Sequence, residues 1–320
     1  MRLRNNLIVI VCLAVLYFGI AYAIDNRLIS SFHQVNLYLL GINIIMAVSL
    51  NLIVGFTGQL ALGHAGFMAI GAYVSAILTL KLGQPFFPAV LAGALATGLV
   101  GVLIGLPTLR LRGDYLAIAT LGFGEIIRGL LININYVGGA AGMNGIPKLT
   151  TWTWLFIFTV ATVLLIKNFI NSSHGRACIA IRENEIAADA MGINTTFYKV
   201  LAFSIGAFFA GLAGALYAHY FFLIQPQTFT ILKSFDALVM VVFGGLGSIT
   251  GSIIAASAIT IMNAALQSLG ALRMVIYALL LVVIMVFRPQ GLLGTKEFTF
   301  GTLLRQKGGS GQHDYRKQTD

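Results

Sequence analysis

Charge is what this sequence has least of: Asp, Glu, Lys and Arg make up 9% of its 320 residues, while 58% are hydrophobic. An ordinary soluble domain is about 25% charged, so a water-soluble enzyme and a disordered chain are both excluded. Cysteine is almost missing too, and Cys12 with Cys178 cannot build a secreted disulfide framework. No lysine follows a glycine, so the Gly-Lys-Ser/Thr ending of a phosphate-cradling loop is absent and ATP is not hydrolysed here in that way. The five histidines (His33, His64, His174, His219 and His313) stand apart, with no i,i+4 pair and with Asp314 beside His313 as the one adjacent cysteine or carboxylate, and no serine occupies a Gly-x-Ser-x-Gly elbow. Gly245, Gly247 and Gly251 follow an apolar run at the wrong spacing for a dinucleotide turn. The expectation is a chain without enzymatic activity, without a metal and without a cofactor of its own.

What is present is apolar length. Runs near 7–24, 36–55, 59–80, 87–107, 115–134, 151–170, 200–222, 234–248, 251–269 and 272–288 approach the roughly 20 residues that cross a bilayer. They predict an all-α integral membrane protein, a polytopic bundle of about ten transmembrane helices. The net charge of +10 comes from 20 Lys and Arg against 10 Asp and Glu. No basic domain or aromatic motif turns that excess into a nucleic-acid surface; it reports orientation. With the N-terminus inside, most of the basic residues fall on inside segments, while the outside ones carry only Arg27, Lys81, Lys148, Lys233 and Arg273. Both termini are therefore expected on the cytoplasmic side. The first span has a rival reading as a cleaved signal peptide, since Arg2 and Arg4 precede it and Ala21-Tyr22-Ala23 resembles a cleavage site. Residues 1–294 read as the membrane domain, and 295–320, with Gly308-Gly309-Ser310-Gly311, as a flexible cytoplasmic tail.

Two places interrupt the apolar pattern: Gly55 to Gly66 (GFTGQLALGHAG) and Gly244 to Ser252 (GGLGSITGS). Irregular backbone at membrane depth is tolerated only against protein or a water-filled cavity, so Gln59 and His64 are candidate pathway or gate residues; ordinary cytoplasmic turns are the alternative. The placement of the breaks hints at two related halves. Glu125 and Arg128 share one face of a single span at i,i+3, where each ion alone would cost about 2.5 to 3.5 kcal/mol. They read either as a pathway wall or gate, or as a packing pair that neutralises itself. Asp114 at a span entrance is expected to cap its helix. Small-residue spacings, Gly101 with Gly105, Gly247 with Gly251, and Ala207 with Gly211 and Ala215, predict close helix packing.

Between the sixth and seventh spans, residues 171–199 are far richer in charge. Ala177, Ile181, Ala188 and Met191 recur at near-helical spacing, Arg182, Glu183, Glu185 and Asp189 supply polar positions, and Gly192 is a candidate C-cap. One short amphipathic cytoplasmic helix is expected, either a solvated connector or a docking element.

The segment from Glu185 to Gly192 (EIAADAMG) resembles the loop by which ABC importer permeases engage their ATPases. With Ser49 to Gln59 (SLNLIVGFTGQ), Leu62 to Phe67 (LGHAGF), Leu111 to Tyr115 (LRGDY), Thr120 to Arg128 (TLGFGEIIR), Gly175-Arg176, Ile181 to Glu185 (IRENE) and Phe287 to Leu293 (FRPQGLL), the chain is similar to the branched-chain amino acid permease family, LivM type. The resemblance covers about residues 5 to 295. It implies a permease subunit of the bacterial inner membrane that works with a second, related permease, two cytosolic ATPase subunits and a periplasmic solute-binding protein. ATP would be used by those partners, and leucine, isoleucine or valine would be the cargo. Arg182, Glu183, Glu185, Ala187, Ala188 and Gly192 would form the ATPase-coupling element. The loop from Val137 to Gly145 (VGGAAGMNG) departs from the family's usual Gly-Gly-x-x-Gly pattern, and close relatives carry urea or short amides. An ion-coupled secondary transporter is the reading from outside the family, with Glu125 as its membrane carboxylate.

Overall fold

The structure is a computed structural model that describes residues 2–269 apart from Arg27, Arg110 and Arg112, together with the isolated positions Leu272, Leu279, Val282, Gly291 and Gly294; side chains are described within these from Val11 onward, Ser268 and Leu269 excepted. The expected span at 272–288 and the tail at 295–320 lie outside the described residues.

Eleven α-helices follow one another among the described residues: α1 (Arg2–Asp25), α2 (Ser31–Asn51), α3 (His64–Leu80), α4 (Phe86–Thr108), α5 (Asp114–Asn133), α6 (Trp152–Asn171), α7 (Ser173–Glu183), α8 (Glu185–Ala190), α9 (Thr195–Phe221), α10 (Ile231–Gly244) and α11 (Ile249–Ala265). Among the described residues five stretches are long and apolar enough to cross a membrane, namely α2 with its extension to Phe56, α4, α5, α6 and α9; Val11–Asp25, α3 and α11 are shorter apolar helices. The fold is thus all-α and membrane-type.

The long α9 is the axis of the bundle and packs along α2, α3 and α4, because its small residues let neighbouring backbones approach. A Cβ on Gly71 of α3 would lie 2.0 Å from the Gly211 carbonyl of α9, so any side chain there would force the two helices apart. The Gly101 spacing is used in the same way, facing Ala207 across the α4–α9 contact. On one side α2 carries α11, α10 and α6. The first helix packs on α6 through Tyr17, whose hydroxyl meets Thr153 Oγ1 at 2.9 Å.

Three expected elements differ. The third span begins at His64 rather than at residue 59, because α2 ends in a π-helical turn, Leu52–Phe56, and Gly58 then takes a left-handed φ of 73°. Residues 57–63 cross the end of the bundle as non-helical chain. The expected span 234–248 is the 14-residue α10, ended by Gly245 at φ 112°. It is preceded by Pro226–Phe229, a 3-10 turn packed on α3 and α5. Lys233, expected on an outside segment, is half-buried in the first turn of α10, its Nζ 3.3 Å from Asn43 Oδ1.

The charged segment 171–199 contains two short helices rather than one. Asn184 leaves helical geometry, and its side chain accepts from the Ala187 amide to start α8. Asp114 is the first helical residue of α5 and makes no capping bond, since Gly113 holds the cap position with φ 56°. Its carboxylate sits in the first turn, where the N-terminal dipole favours it.

Candidate functional site

Both glycine-rich breaks meet at one end of the bundle, and α7 closes over them. The joint is Asn51, fully buried at the end of α2. Its Nδ2 donates to the Ser248 carbonyl at 2.9 Å and to Ser252 Oγ at 2.8 Å, while its Oδ1 accepts from the Gly247 amide at 3.0 Å. One amide side chain thus satisfies the backbone that the second break leaves open. Only glycine fits at residue 55, where a Cβ would stand 1.8 Å from Asn51 Oδ1 and 2.4 Å from the Gly247 nitrogen. Gly291 packs against Gly245 of the same turn.

Arg182 of α7 enters this joint. Its Nη1 donates to the Gly55 carbonyl at 2.8 Å, and its Nη2 pairs with Glu183 Oε1 at 2.5 Å. A Cβ on Gly247 would fall 2.7 Å from Nη1, and one on Gly58 would fall 3.1 Å from the Arg182 Cγ. Glycine at both positions makes room for the guanidinium and its stem. Beside it, Gln59 is buried and donates to the Lys199 carbonyl at 3.3 Å, and Lys199 Nζ pairs with Glu185 Oε1 at 2.6 Å. The first break, the second break, α7, α8 and the start of α9 are therefore one hydrogen-bonded unit.

The short helices carry their own stop and start signals. Ser172, Asn184 and Asn194 each cap a helix by accepting from the amide three residues on. Gly192, at φ 83°, ends α8 in a Schellman arrangement, with Gly192 N–H on the Asp189 carbonyl and Ile193 N–H on that of Ala188. Ala177, Cys178, Ile181 and Ala188 face inward and are buried. Burial pushes the Cys178 thiol up to about 11. On the outward side Ile186 is 72% and Met191 82% exposed, with Ala187, Asp189 and Ala190 beside them. Of the six residues expected to couple to an ATPase, Glu183, Ala187 and Gly192 are outward-facing, Arg182 and Glu185 tie inward, and Ala188 is covered.

The remaining candidates lie deeper. His64, at the start of α3, is buried with its Nε2 2.9 Å from Ser49 Oγ. Ser49 gives its own proton to the Met46 carbonyl at 3.0 Å, so Nε2–H is the donor to Ser49. Nδ1 is then an acceptor, and it and Gln59 Oε1 are buried without a hydrogen-bond partner among the described residues. Glu125 and Arg128 form an ion pair on α5, Nη2 to Oε2 at 2.6 Å, with side chains 35% and 32% exposed. This pair stands apart from the joint. Glu125 lines a narrow cleft with Gly66 of α3 and Thr230 and Ser234 at the start of α10. The sequence reading missed Asn51 and the chain of contacts from Lys233 through Asn43 to Thr260, where Asn43 Nδ2 donates to Thr260 Oγ1 at 3.0 Å.

A bundle of long apolar helices whose broken ends are tied to a charged two-helix segment defines a polytopic membrane protein. The family of branched-chain amino acid transport system permease components matches residues 35–285, and the chain belongs to that family. It is 38% identical to the high-affinity branched-chain amino acid transport system permease protein LivM of Salmonella typhimurium over 79% of this chain and 68% of that protein. Identity to LivM of Escherichia coli K12 is 37% over the same shares. Similarity extends to LivH of Escherichia coli K12, at 32% over 56% of this chain and 58% of that protein. No solved structure matches.

Proposed function

We propose that this chain is a permease subunit of an ATP-driven importer that moves leucine, isoleucine or valine across the bacterial inner membrane. The single observation that carries the mechanism is Arg182, which joins the outward-facing α7–α8 segment to both broken helix ends. A push on α8 has a stiff route to the backbone of α2 and the α10–α11 turn, and no flexible linker lies between them.

In this reading the spans number ten, including 272–288, and both termini are cytoplasmic. Residues 1–294 form the membrane domain, and 295–320 a cytoplasmic tail. The segment 171–199 is the coupling element. Two cytosolic ATPase subunits hold it through Ile186, Ala187, Ala190 and Met191, whose apolar exposure suits a partner better than water. ATP is bound and hydrolysed there, and this chain supplies no catalytic group. A second related permease completes the pathway, and a periplasmic binding protein delivers cargo to the opposite face. Gln59 and His64 lie at the inner end of the pathway, where orphaned buried acceptors suit a structure that rearranges. Glu125 and Arg128 lie further along its wall.

Purification of the tagged chain from native membranes, with mass spectrometry of what accompanies it, tests this reading. ABC ATPases and a second permease at stoichiometric yield are expected. A chain recovered alone, and active alone under a proton or sodium gradient, would make it a secondary transporter.

A further inference from the structure

An ion pair near the middle of an apolar helix needs an explanation beyond its own neutrality. Glu125 and Arg128 stand between Asp114 and Asn133 on a helix most of whose surface is uncovered: Ile118 is 65%, Ile126 60% and Leu130 56% exposed. Both charged groups keep about a third of their side-chain surface open. Hydrocarbon cannot solvate that surface, so protein or an aqueous pathway must meet it. Glu125 also lines a cleft that holds other polar residues. Ser234 Oγ accepts the Ala65 amide at 2.9 Å, which leaves its own proton to give. Thr230 starts α10 with no side-chain cap, so its first-turn amides lack that acceptor. The cleft is narrow, about 10 Å³, which is roughly the space of one water, as a closed pathway requires. Gly66 and Gly124 hold it shut, since a Cβ on Gly66 would lie 2.8 Å from the Gly124 Cα.

We infer that the Glu125–Arg128 pair is a recognition point for the zwitterionic head of a free α-amino acid, self-paired when the pathway is closed. A cargo ammonium takes the place of Arg128 on the Glu125 carboxylate, and a cargo carboxylate takes the place of Glu125 on the Arg128 guanidinium. One internal ion pair is thereby exchanged for two intermolecular ones of the same kind, with no net charge left in the membrane. The apolar side chain of the cargo contributes nothing to this exchange, so the pair selects for the amino acid head and not among leucine, isoleucine and valine. This inference rests on the importer reading above.

The test uses the complete transporter, with its partner permease, ATPases and binding protein, in proteoliposomes. The readout is leucine moved per ATP hydrolysed at saturating loaded binding protein. The neutral pair Glu125→Gln/Arg128→Gln leaves no unpaired charge, so a merely structural pair would tolerate it with an unchanged ratio. The expected result is retained assembly and hydrolysis with the leucine-to-ATP ratio down at least tenfold. A ratio within twofold of wild type overturns the inference. Should the neutral pair not assemble, a second uncharged pair, Glu125→Leu/Arg128→Met, which needs no polar partner in the membrane, is read by the same criterion. Wild-type complex that moves no branched-chain amino acid with ATP would instead overturn the importer reading itself.

Discussion

Arg182 Nη1 and the Gly55 carbonyl lie 2.8 Å apart, joining a helix outside the apolar bundle to the frayed end of one inside it. The same guanidinium leans on Gly247, so a single side chain touches both breaks. A hydrogen bond from a charged donor contributes about 1.5 to 3 kcal/mol. Arg182→Ala is expected to cut leucine uptake about tenfold or more at matched membrane abundance, with the chain still inserted. Uptake by reconstituted vesicles, normalised to protein by immunoblot, checks it.

Gly55 has no tolerance for a methyl group. With Asn51 Oδ1 at 1.8 Å and the Gly247 amide at 2.4 Å from the added carbon, Gly55→Ala must break the Asn51 bridge or displace the turn. The expected loss is about 2 to 4 kcal/mol, read as a lower thermal midpoint and a reduced monodisperse yield in detergent. Gly122→Ala, with nothing within 4 Å of the added carbon, is the matched control and should be neutral.

Cys178 reports whether α7 stays seated. It is 1% exposed, its thiol contacts the Tyr198 carbonyl at 3.8 Å, and burial raises its pKa to about 11. Because the thiolate is the reacting form, maleimide labelling near neutral pH should be slow and should rise as pH climbs toward 11. In a Cys12→Ser background, Arg182→Ala should speed labelling at fixed pH, because α7 is then held less firmly. A mass-spectrometric time course checks both effects.

The exposed side of α8 separates docking from folding. Ile186→Asp and Met191→Asp alter only outward side chains and should lower ATPase co-purification several-fold while thermal stability holds. Ala188→Arg forces a cation into a covered position, 4% exposed, and should lower stability as well as association. Pairing the pull-down with a thermal melt distinguishes the two.

Much of this was legible in the sequence. Apolar runs located α2, α4, α5, α6 and α9 within a few residues, because a helix in lipid needs continuous hydrophobicity and little else. The i,i+3 spacing put Glu125 and Arg128 on one face, and pairing with each other was one of the arrangements it allowed. Asn51 was hidden because one amide within an apolar run carries no local signal; its meaning comes from Gly247, Ser248 and Ser252, distant in sequence. The contact of Lys233 with Asn43 was hidden for a related reason, because the two are distant in sequence. The split between α7 and α8 could have been read, since Ser172, Asn184 and Asn194 are the residue types that cap helices. That both breaks meet beneath Arg182 could not be, because it depends on how distant helices pack.

The most direct test of the central claim is leucine accumulation in proteoliposomes holding this chain, its partner permease and the ATPases, with loaded binding protein added on the face opposite the ATPases. Accumulation that requires ATP on the ATPase side and stops when the ATPases are catalytically dead is the predicted result. Accumulation that persists with dead ATPases, or with the chain alone under an ion gradient, would contradict the account.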